Sequence, residues 1–218
     1  MKPIDYLHLQ MELEGIQVRK GNLITRTHPD VEDFPLVLYA HTNRGEKIVY
    51  FDDTIPIDLY NKLTTGDLQS FEIASAVEDF RFHGISSKVE SFKTYTFPKN
   101  FVDAEAGNAK CFRQDDPKVI AFGFDGLGEG VYAVESDGKI ISACVSSREN
   151  TKSAESWVFT DPGHRRKGLA QQVVTAWARN VLRESKIPFY SHAVENVSSY
   201  KVAIKLKLVH LYDETVIT

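Results

Sequence analysis

Residues 157–171 read in order as a strand, a break, a basic turn and the start of a helix, with the sequence Trp-Val-Phe-Thr-Asp-Pro-Gly-His-Arg-Arg-Lys-Gly-Leu-Ala-Gln. The bulky apolar run ends at Thr160, Pro162 and Gly163 break it, and an amphipathic pattern begins after Lys167. A helix that begins just after a strand directs its unpaired N–H groups and the positive end of its dipole at the carboxyl edge of that strand. This stretch therefore predicts an anion site of the kind that binds phosphate.

The overall charge argues that this anion is small. The chain has 218 residues and a formal net charge of −4, whereas a dedicated nucleic-acid-binding protein usually carries a basic excess. Arg165, Arg166 and Lys167 are thus a local positive patch on a mildly acidic chain. We expect no nucleic-acid partner.

Several classes of site and location are not expected. The sequence contains no run of about 18 apolar residues and no secretory pattern, which predicts no membrane span and a cytoplasmic protein. Cys111 and Cys144 lack metal or redox spacing, so we expect reduced structural thiols and no metal site.

The first half of the chain carries helix and strand patterns but no catalytic motif. A helix over residues 68–81 is predicted because Phe71, Ala74 and Val77 recur at helical spacing. The small, polar composition of residues 98–110 indicates a linker. We therefore predict a smaller α+β N-terminal domain of unknown role over residues 1–108 and a second domain over residues 109–218.

The second half is more regular. Gly123, Gly126, Gly128 and Gly130 precede a strand instead of a helix, so they predict a flexible loop and not a dinucleotide-binding turn. Asp137-Gly138 between two apolar runs predicts a β-hairpin. A third strand over residues 153–160 then leads into the basic turn.

Two helices and two strands are predicted after that turn. The first helix, over about residues 167–184, follows from a single apolar stripe of Leu169, Val173, Trp177 and Val181. The strand over residues 189–194 is reached through this helix, so it should lie parallel to the strand over residues 153–160. Asn196 suits the N-cap of a second helix over residues 197–207, and a last strand follows over residues 208–217.

Two motifs within this order carry a family resemblance. Arg165-Arg166-Lys167-Gly168-Leu169-Ala170 fits the pattern (Gln/Arg)-x-x-Gly-x-(Gly/Ala), and Asn196-Val197-Ser198-Ser199 opens a segment that closes with Lys207-Leu208. Together they resemble the acyl-CoA signature and the later helical motif of the GNAT superfamily of N-acetyltransferases, in which glycine is usual at the position of Lys207 and an aromatic residue at that of Leu208. The resemblance covers about residues 130–213. It implies a mixed α+β fold, with a GNAT-like central mixed sheet and helices on both faces.

The resemblance implies acetyl-CoA as the cofactor and an amine as the acceptor. A diphosphate needs several donors at once, which a turn of free N–H groups and basic side chains supplies. Gly168 and Ala170 keep side chains away where the diphosphate approaches the backbone, and Val158 and Thr160 would pair with pantetheine. The cofactor-binding residues implied in this way are Val158, Phe159, Thr160, Arg165, Arg166, Lys167, Gly168, Leu169, Ala170, Gln171, Asn196 and Ser199.

The implied chemistry is direct attack of a neutral amine on the thioester, which needs a base and a proton source. Glu155 is the candidate base, with a solvated strand-end carboxylate as the open alternative. The usual acid tyrosine is replaced by Ala203, so Ser199 is the candidate acid. Weaker candidates for the acid are Tyr190, His192 and Tyr200.

A covalent route is not expected, because Cys144 has no histidine companion evident in the sequence. Two functions other than the transferase stay open. The missing tyrosine leaves a non-catalytic acyl-CoA-binding or sensor protein as the competing function, and a partner-binding module built on residues 1–108 as a third. The sequence leaves the oligomeric state open, with a homodimer as one alternative.

Overall fold

The computed structural model describes residues 1–28, 34–124 and 128–218, which form two compact units. The first unit comprises Met1–Thr94, Ala193–Glu195 and His210–Thr218, and the second comprises Tyr95–His192 and Asn196–Val209. The predicted boundary lay between residues 108 and 109, whereas the chain leaves the first unit after Thr94 and returns to it for its last nine residues, 210–218. Gly126 of the predicted glycine loop lies outside the described residues.

The first unit is a mixed sheet with helices. Its helices are α1 (Pro3–Leu13), α2 (Ile57–Leu63) and α3 (Ile73–Phe82), and its strands are β1 (Ile16–Val18), β2 (Leu23–Arg26), β3 (Val37–Thr42), β4 (Lys47–Asp52), β5 (Val89–Thr96, to Thr94 in this unit) and β11 (Val209–Ile217, from His210). The strand order is β1-β2-β4-β3-β11-β5. β2 and β4 are parallel, whereas β1–β2, β3–β4 and β3–β11 are antiparallel. The main core joins β3, β4 and β11 to α2 and α3.

The helix predicted over residues 68–81 is wrong in its first part. A 3-10 turn covers Leu68–Ser70, and α3 begins only at Ile73. Between them Phe71 is extended and buried, with its ring stacked on Tyr39 and edge-on to Phe51. The spacing of Phe71 matched a helix, but its burial in the core requires the chain to break there.

The second unit contains a five-stranded mixed sheet. Its strands are β6 (Lys110–Arg113), β7 (Gly130–Ser136), β8 (Lys139–Glu149), β9 (Ser153–Thr160) and β10 (Ile187–Ala193, to His192 in this unit), in the order β10-β9-β8-β7-β6. β9 and β10 are parallel and the other neighbours antiparallel, as predicted for the strands around the basic turn. The predicted hairpin is confirmed at Asp137 and Gly138, both of which have positive φ. β6 was not predicted.

Helices cover both faces of this sheet, which confirms the predicted fold class. They are α4 (Pro117–Phe122), α5 (Leu169–Arg183) and α6 (Val197–Lys205). Alternate residues of β8 divide between the faces: Cys144 packs in one core with α5 and α6, whereas Ala143 and Val145 pack in another with α4. The predicted stripe of α5 is confirmed, because Val173, Trp177 and Val181 are buried.

The segment predicted as a linker, residues 98–110, is packed. It holds a 3-10 helix at Lys99–Asp103, in which Phe101 is buried against Phe97 in the α5 core. Arg179 on α5 also donates its Nε–H to the carbonyl of Val102 at 3.1 Å. The small residues indicated a linker, but the aromatic residue among them ties this segment to α5. In the described ranges, 1–28, 34–124 and 128–218, we find no helix long and apolar enough to cross a membrane.

Candidate functional site

The parallel strands β9 and β10 separate partway along their length. Their paired register runs from Ile187–Ser153 to Phe189–Glu155, although β9 continues to Thr160. β8 pairs with β9 over the whole of this continuation, from Ser156 to Thr160. The other edge of β9 therefore presents backbone N–H and C=O groups that β10 does not pair.

A turn of positive φ angles connects the end of β9 to α5. After the 3-10 helix Pro162–His164, Arg166 has φ +65° and Gly168, the N-cap of α5, has φ +80°. The first backbone hydrogen bond of α5 runs from Gln172 N–H to the Gly168 carbonyl at 3.3 Å. The N–H groups of the three residues between them therefore have no partner inside the helix.

The structure gives a second reason for glycine at position 168. Among protein atoms, a Cβ there would meet only the Gln171 Oε1 atom, at 3.7 Å, which is ordinary contact. The backbone itself has φ +80°, a left-handed conformation that residues with a Cβ adopt at a cost. α5 begins at Leu169, two residues later than predicted, because this turn occupies the preceding residues.

Arg165 is fixed at the end of β9. Its Nε–H donates to the Thr160 carbonyl at 3.1 Å, and its guanidinium carbon lies 5.9 Å from the centre of the Phe159 ring. The side chain therefore places a positive charge beside the unpaired part of β9.

The start of α6 lies on the other side of the opening. The predicted cap is confirmed, because the Asn196 Oδ1 atom accepts from Ser199 N–H at 3.0 Å. The buried Tyr190 of β10 donates its hydroxyl to the Ser199 carbonyl at 3.3 Å. Burial raises the pKa of Tyr190 to about 12, so this phenol keeps its proton at neutral pH.

These elements enclose a cleft of about 840 Å³. Every residue predicted to bind the cofactor lines it except Lys167, whose side chain is exposed. The lining residues that the sequence did not predict to bind the cofactor are Pro162, His164, Tyr190, Ser198, Lys201, Val202 and Lys205, and of these Tyr190 was a weaker candidate for the acid. Lys201 and Lys205 stand one helical turn apart on α6, and that i, i+4 pair of lysines was the signal available in the sequence.

The two candidate catalytic residues differ in position. Ser199 lines the cleft, whereas Glu155 does not. The Glu155 side chain is 4% exposed, accepts from Arg148 Nη1 at 2.9 Å and from the Ser191 hydroxyl, and points to the face of β9 opposite to Val158. Glu155 thus lies at the last paired position of β9 and β10, and its side chain points to the α4 face of the sheet.

The remaining candidates have packing partners. His192 stacks on Tyr95 with ring centres 5.7 Å apart, and its ring lies 6.1 Å from that of Tyr200. Both cysteines are free thiols, and Cys144 is fully buried opposite Val158. Burial raises the pKa of the Cys144 thiol well above its usual value, which disfavours the nucleophilic thiolate. Within the described part of the chain, no group of three histidine, cysteine or acidic residues could hold a metal ion.

A family model described as GNAT acetyltransferase matches residues 119–213. None of the curated proteins matches the chain in sequence. Solved structures with a similar fold include an acetyltransferase of the GNAT family from Novosphingobium aromaticivorans, with 16% identity, a TM-score of 0.47, and coverage of 60% of this chain and 64% of that one, less than two thirds of its length.

Two further structures align over more of the chain. A GCN5-related N-acetyltransferase-like protein from Streptococcus suis has 15% identity and a TM-score of 0.48, and the alignment covers 88% of this chain and 87% of that one. An acetyltransferase of the GNAT family from Colwellia psychrerythraea has 11% identity and a TM-score of 0.49, with coverage of 93% and 80%.

Proposed function

Since residues 119–213 belong to the GNAT acetyltransferase family, we propose that the chain is an acetyl-CoA-dependent N-acetyltransferase acting on a primary amine. The observation that carries this proposal is the end of the β9–β10 register at Phe189–Glu155, which opens one edge of β9 directly beside the cleft. A chain-like cofactor arm can pair with such an edge as an added strand would.

The cofactor is held in this proposal by backbone and charge together. The diphosphate accepts from the N–H groups of Leu169, Ala170 and Gln171 at the positive end of the α5 dipole. Arg165 and Arg166 add charge-assisted hydrogen bonds, each worth roughly 1.5–3 kcal/mol. Pantetheine then runs along Val158 and Thr160 towards the Asn196–Ser199 cap. Lys167 does not line the cleft and contributes at most long-range charge.

The transfer itself is a direct acyl substitution. The amine nitrogen attacks the thioester carbonyl carbon, an N–C bond forms, and the C–S bond breaks to release the thiolate of CoA. The attacking nitrogen loses one proton, and the thiolate gains one. We assign the first proton to Glu155, acting through water because its carboxyl does not line the cleft. We assign the second to the Ser199 hydroxyl, on the residue whose carbonyl accepts from the Tyr190 phenol. Solvent water then returns a proton to Ser199 and takes one from Glu155, so that both residues are restored and no net proton is gained or lost.

The test is an incubation of the protein with acetyl-CoA and a panel of amines, in which free thiol is followed. Thiol release that depends on an amine is the expected result. The variant Glu155→Gln should bind acetyl-CoA as the wild type does while losing about 10²–10⁴-fold in kcat, the range of general base catalysis. If calorimetry showed that acetyl-CoA does not bind, the proposal would be wrong.

A second function, an acyl-CoA-binding sensor without turnover, is supported by a specific observation. Ala203 occupies the position at which the family usually has its acid tyrosine, and it is fully buried in the α5 core. Saturable binding of acetyl-CoA with no thiol release on any amine would favour the sensor over the transferase.

A further inference from the structure

Four aromatic residues form a cluster on the face of β9 opposite to α5. Trp157 stacks on Phe124 with ring centres 4.7 Å apart and planes 4° apart. Phe122 contacts both Phe124, at 5.1 Å, and Phe159, at 5.8 Å. We call Phe122, Phe124, Trp157 and Phe159 the aromatic cluster.

The aromatic cluster is only partly buried. Trp157 is 45% exposed and Phe159 is 40% exposed, whereas Phe124 beneath the indole is buried. One face of the indole packs on Phe124, so the exposed surface of Trp157 includes its other face. Large aromatic side chains bury most of their surface when nothing else is required of them.

The aromatic cluster is continuous with the cleft. Phe159 lines the cleft and also belongs to the cluster, and its ring already attracts a cation, the Arg165 guanidinium. Glu155, the proposed base, points to the same face of β9 two residues before Trp157. A molecule that lies on the indole is therefore on the same face of β9 as Phe159, which also lines the cleft where the cofactor arm is proposed to lie.

We propose that the aromatic cluster binds the acceptor and selects primary amines that carry an aromatic ring a few bonds from the nitrogen. The inference rests on the proposed function, because it names the acceptor class of that same site. The ring of the acceptor stacks on the free face of Trp157, and its amino group reaches past Phe159 towards the cleft. The electron-rich ring faces also attract the ammonium form before it loses its proton.

Binding of phenethylamine and ethylamine, compared by calorimetry, tests the inference. The titration uses the protein with CoA in place of acetyl-CoA, so that no turnover is required, and is repeated without CoA. We expect the affinity for phenethylamine to be at least about tenfold higher than that for ethylamine, because ring stacking and apolar burial are added.

The variant Trp157→Ala should lose most of that preference, and Trp157→Phe should keep it. The matched control Phe82→Ala, which removes an aromatic side chain 85% exposed on α3, should leave both affinities unchanged.

Fluorescence gives an independent readout, because the chain has only two tryptophans and Trp177 is buried in the α5 core. Phenethylamine should change the emission of the wild type, and Trp157→Phe should abolish that change. Equal binding of the two amines, or a preference that survives Trp157→Ala, would overturn the inference.

These outcomes are separable from those for the proposed function. Thiol release with small polar amines but no preference for aromatic ones would retain the transferase and overturn the acceptor class. Selective binding of phenethylamine to the CoA-bound protein, with no thiol release from acetyl-CoA, would support the aromatic site and overturn the transferase.

Discussion

Three residues next to α5 and α6 hold a left-handed backbone, and only one of them is glycine. Arg166 and Gly168 precede α5 with φ +65° and φ +80°, and Lys207 follows α6 with φ +53°. The sequence indicated that these positions belong to motifs, but not which backbone they adopt. A family motif shows only that glycine is usual at a position. The backbone φ angle at that position determines whether another residue there lowers the stability of the protein.

Substitutions at Gly168 should separate backbone strain from charge. Gly168→Ala should cost about 1 kcal/mol of unfolding free energy, because alanine disfavours φ +80°, and it should weaken acetyl-CoA binding only modestly. Gly168→Glu adds a negative charge beside the N–H groups of α5 and should abolish binding in calorimetry. Gly163→Glu is the matched control, since Gly163 has no positive φ and a Cβ at that position would have no neighbour within 4 Å. Similar binding by Gly168→Glu and Gly163→Glu would place the anion elsewhere.

Lys207→Gly should stabilise the protein. The substitution relieves the left-handed strain at the end of α6. Glycine loses more conformational entropy on folding than lysine does, which offsets part of that gain and leaves about 0.5–1 kcal/mol of added unfolding free energy. Thermal unfolding should shift upward by roughly 1–4 °C for a chain of this size. Lys205→Gly, the same change within the last turn of α6, should instead destabilise by about 1 kcal/mol. A fall in melting temperature for Lys207→Gly would contradict the strain argument.

Among the elements, α5 shows what periodicity can predict and α3 shows what it cannot. The stripe of α5 faces one core along its length, so the apolar spacing and the packing agree. At Phe71 the same kind of spacing failed, because tertiary burial outweighed local propensity and broke the helix. Similarly, β6 was missed because it has only four residues, two of them charged, and lies at the edge of the sheet.

A buried hydrogen bond anchors α5 to β8 and can be measured. Trp177 Nε1–H donates to the Ser146 hydroxyl at 3.0 Å. The pair Trp177→Phe and Ser146→Ala should therefore show a coupling energy of about 1 kcal/mol in a double-mutant cycle by urea unfolding. Ser142→Ala is the control, because Ser142 is buried on the same strand but bonds to Thr160. Its effect should add to that of Trp177→Phe, and coupling of equal size in both cycles would contradict the assignment.

At the scale of the whole molecule, the order of elements along the chain does not give the order of strands in space. The sequence could predict β11 from its local pattern. It could not predict that β11 joins β3, since strand partners far apart in sequence leave no local signal. For the same reason, composition placed a boundary near residue 108 although residues 210–218 belong to the first unit.

That placement predicts how a fragment of the chain will behave. β11 makes six registered pairs with β3, from Tyr212–Thr42 to Ile217–Val37, and both Tyr212 and Ile217 are fully buried. Residues 1–108 alone would expose the edge of β3 and the apolar surface that β11 covers. We therefore expect this fragment to lack a cooperative thermal transition by circular dichroism.

Addition of residues 208–218 to the fragment through a flexible linker should restore a cooperative transition, because it returns those pairs and the buried side chains. The matched control carries Tyr212→Ser and Ile217→Ser in the same fusion and should not restore it, since it keeps the backbone pairing but loses the buried apolar area. A cooperative melt of residues 1–108 at the temperature of the full chain would show instead that these residues fold as a domain without β11. In that case residues 1–108 would be the folding unit, and the pairing of β11 with β3 would not be needed for these residues to fold.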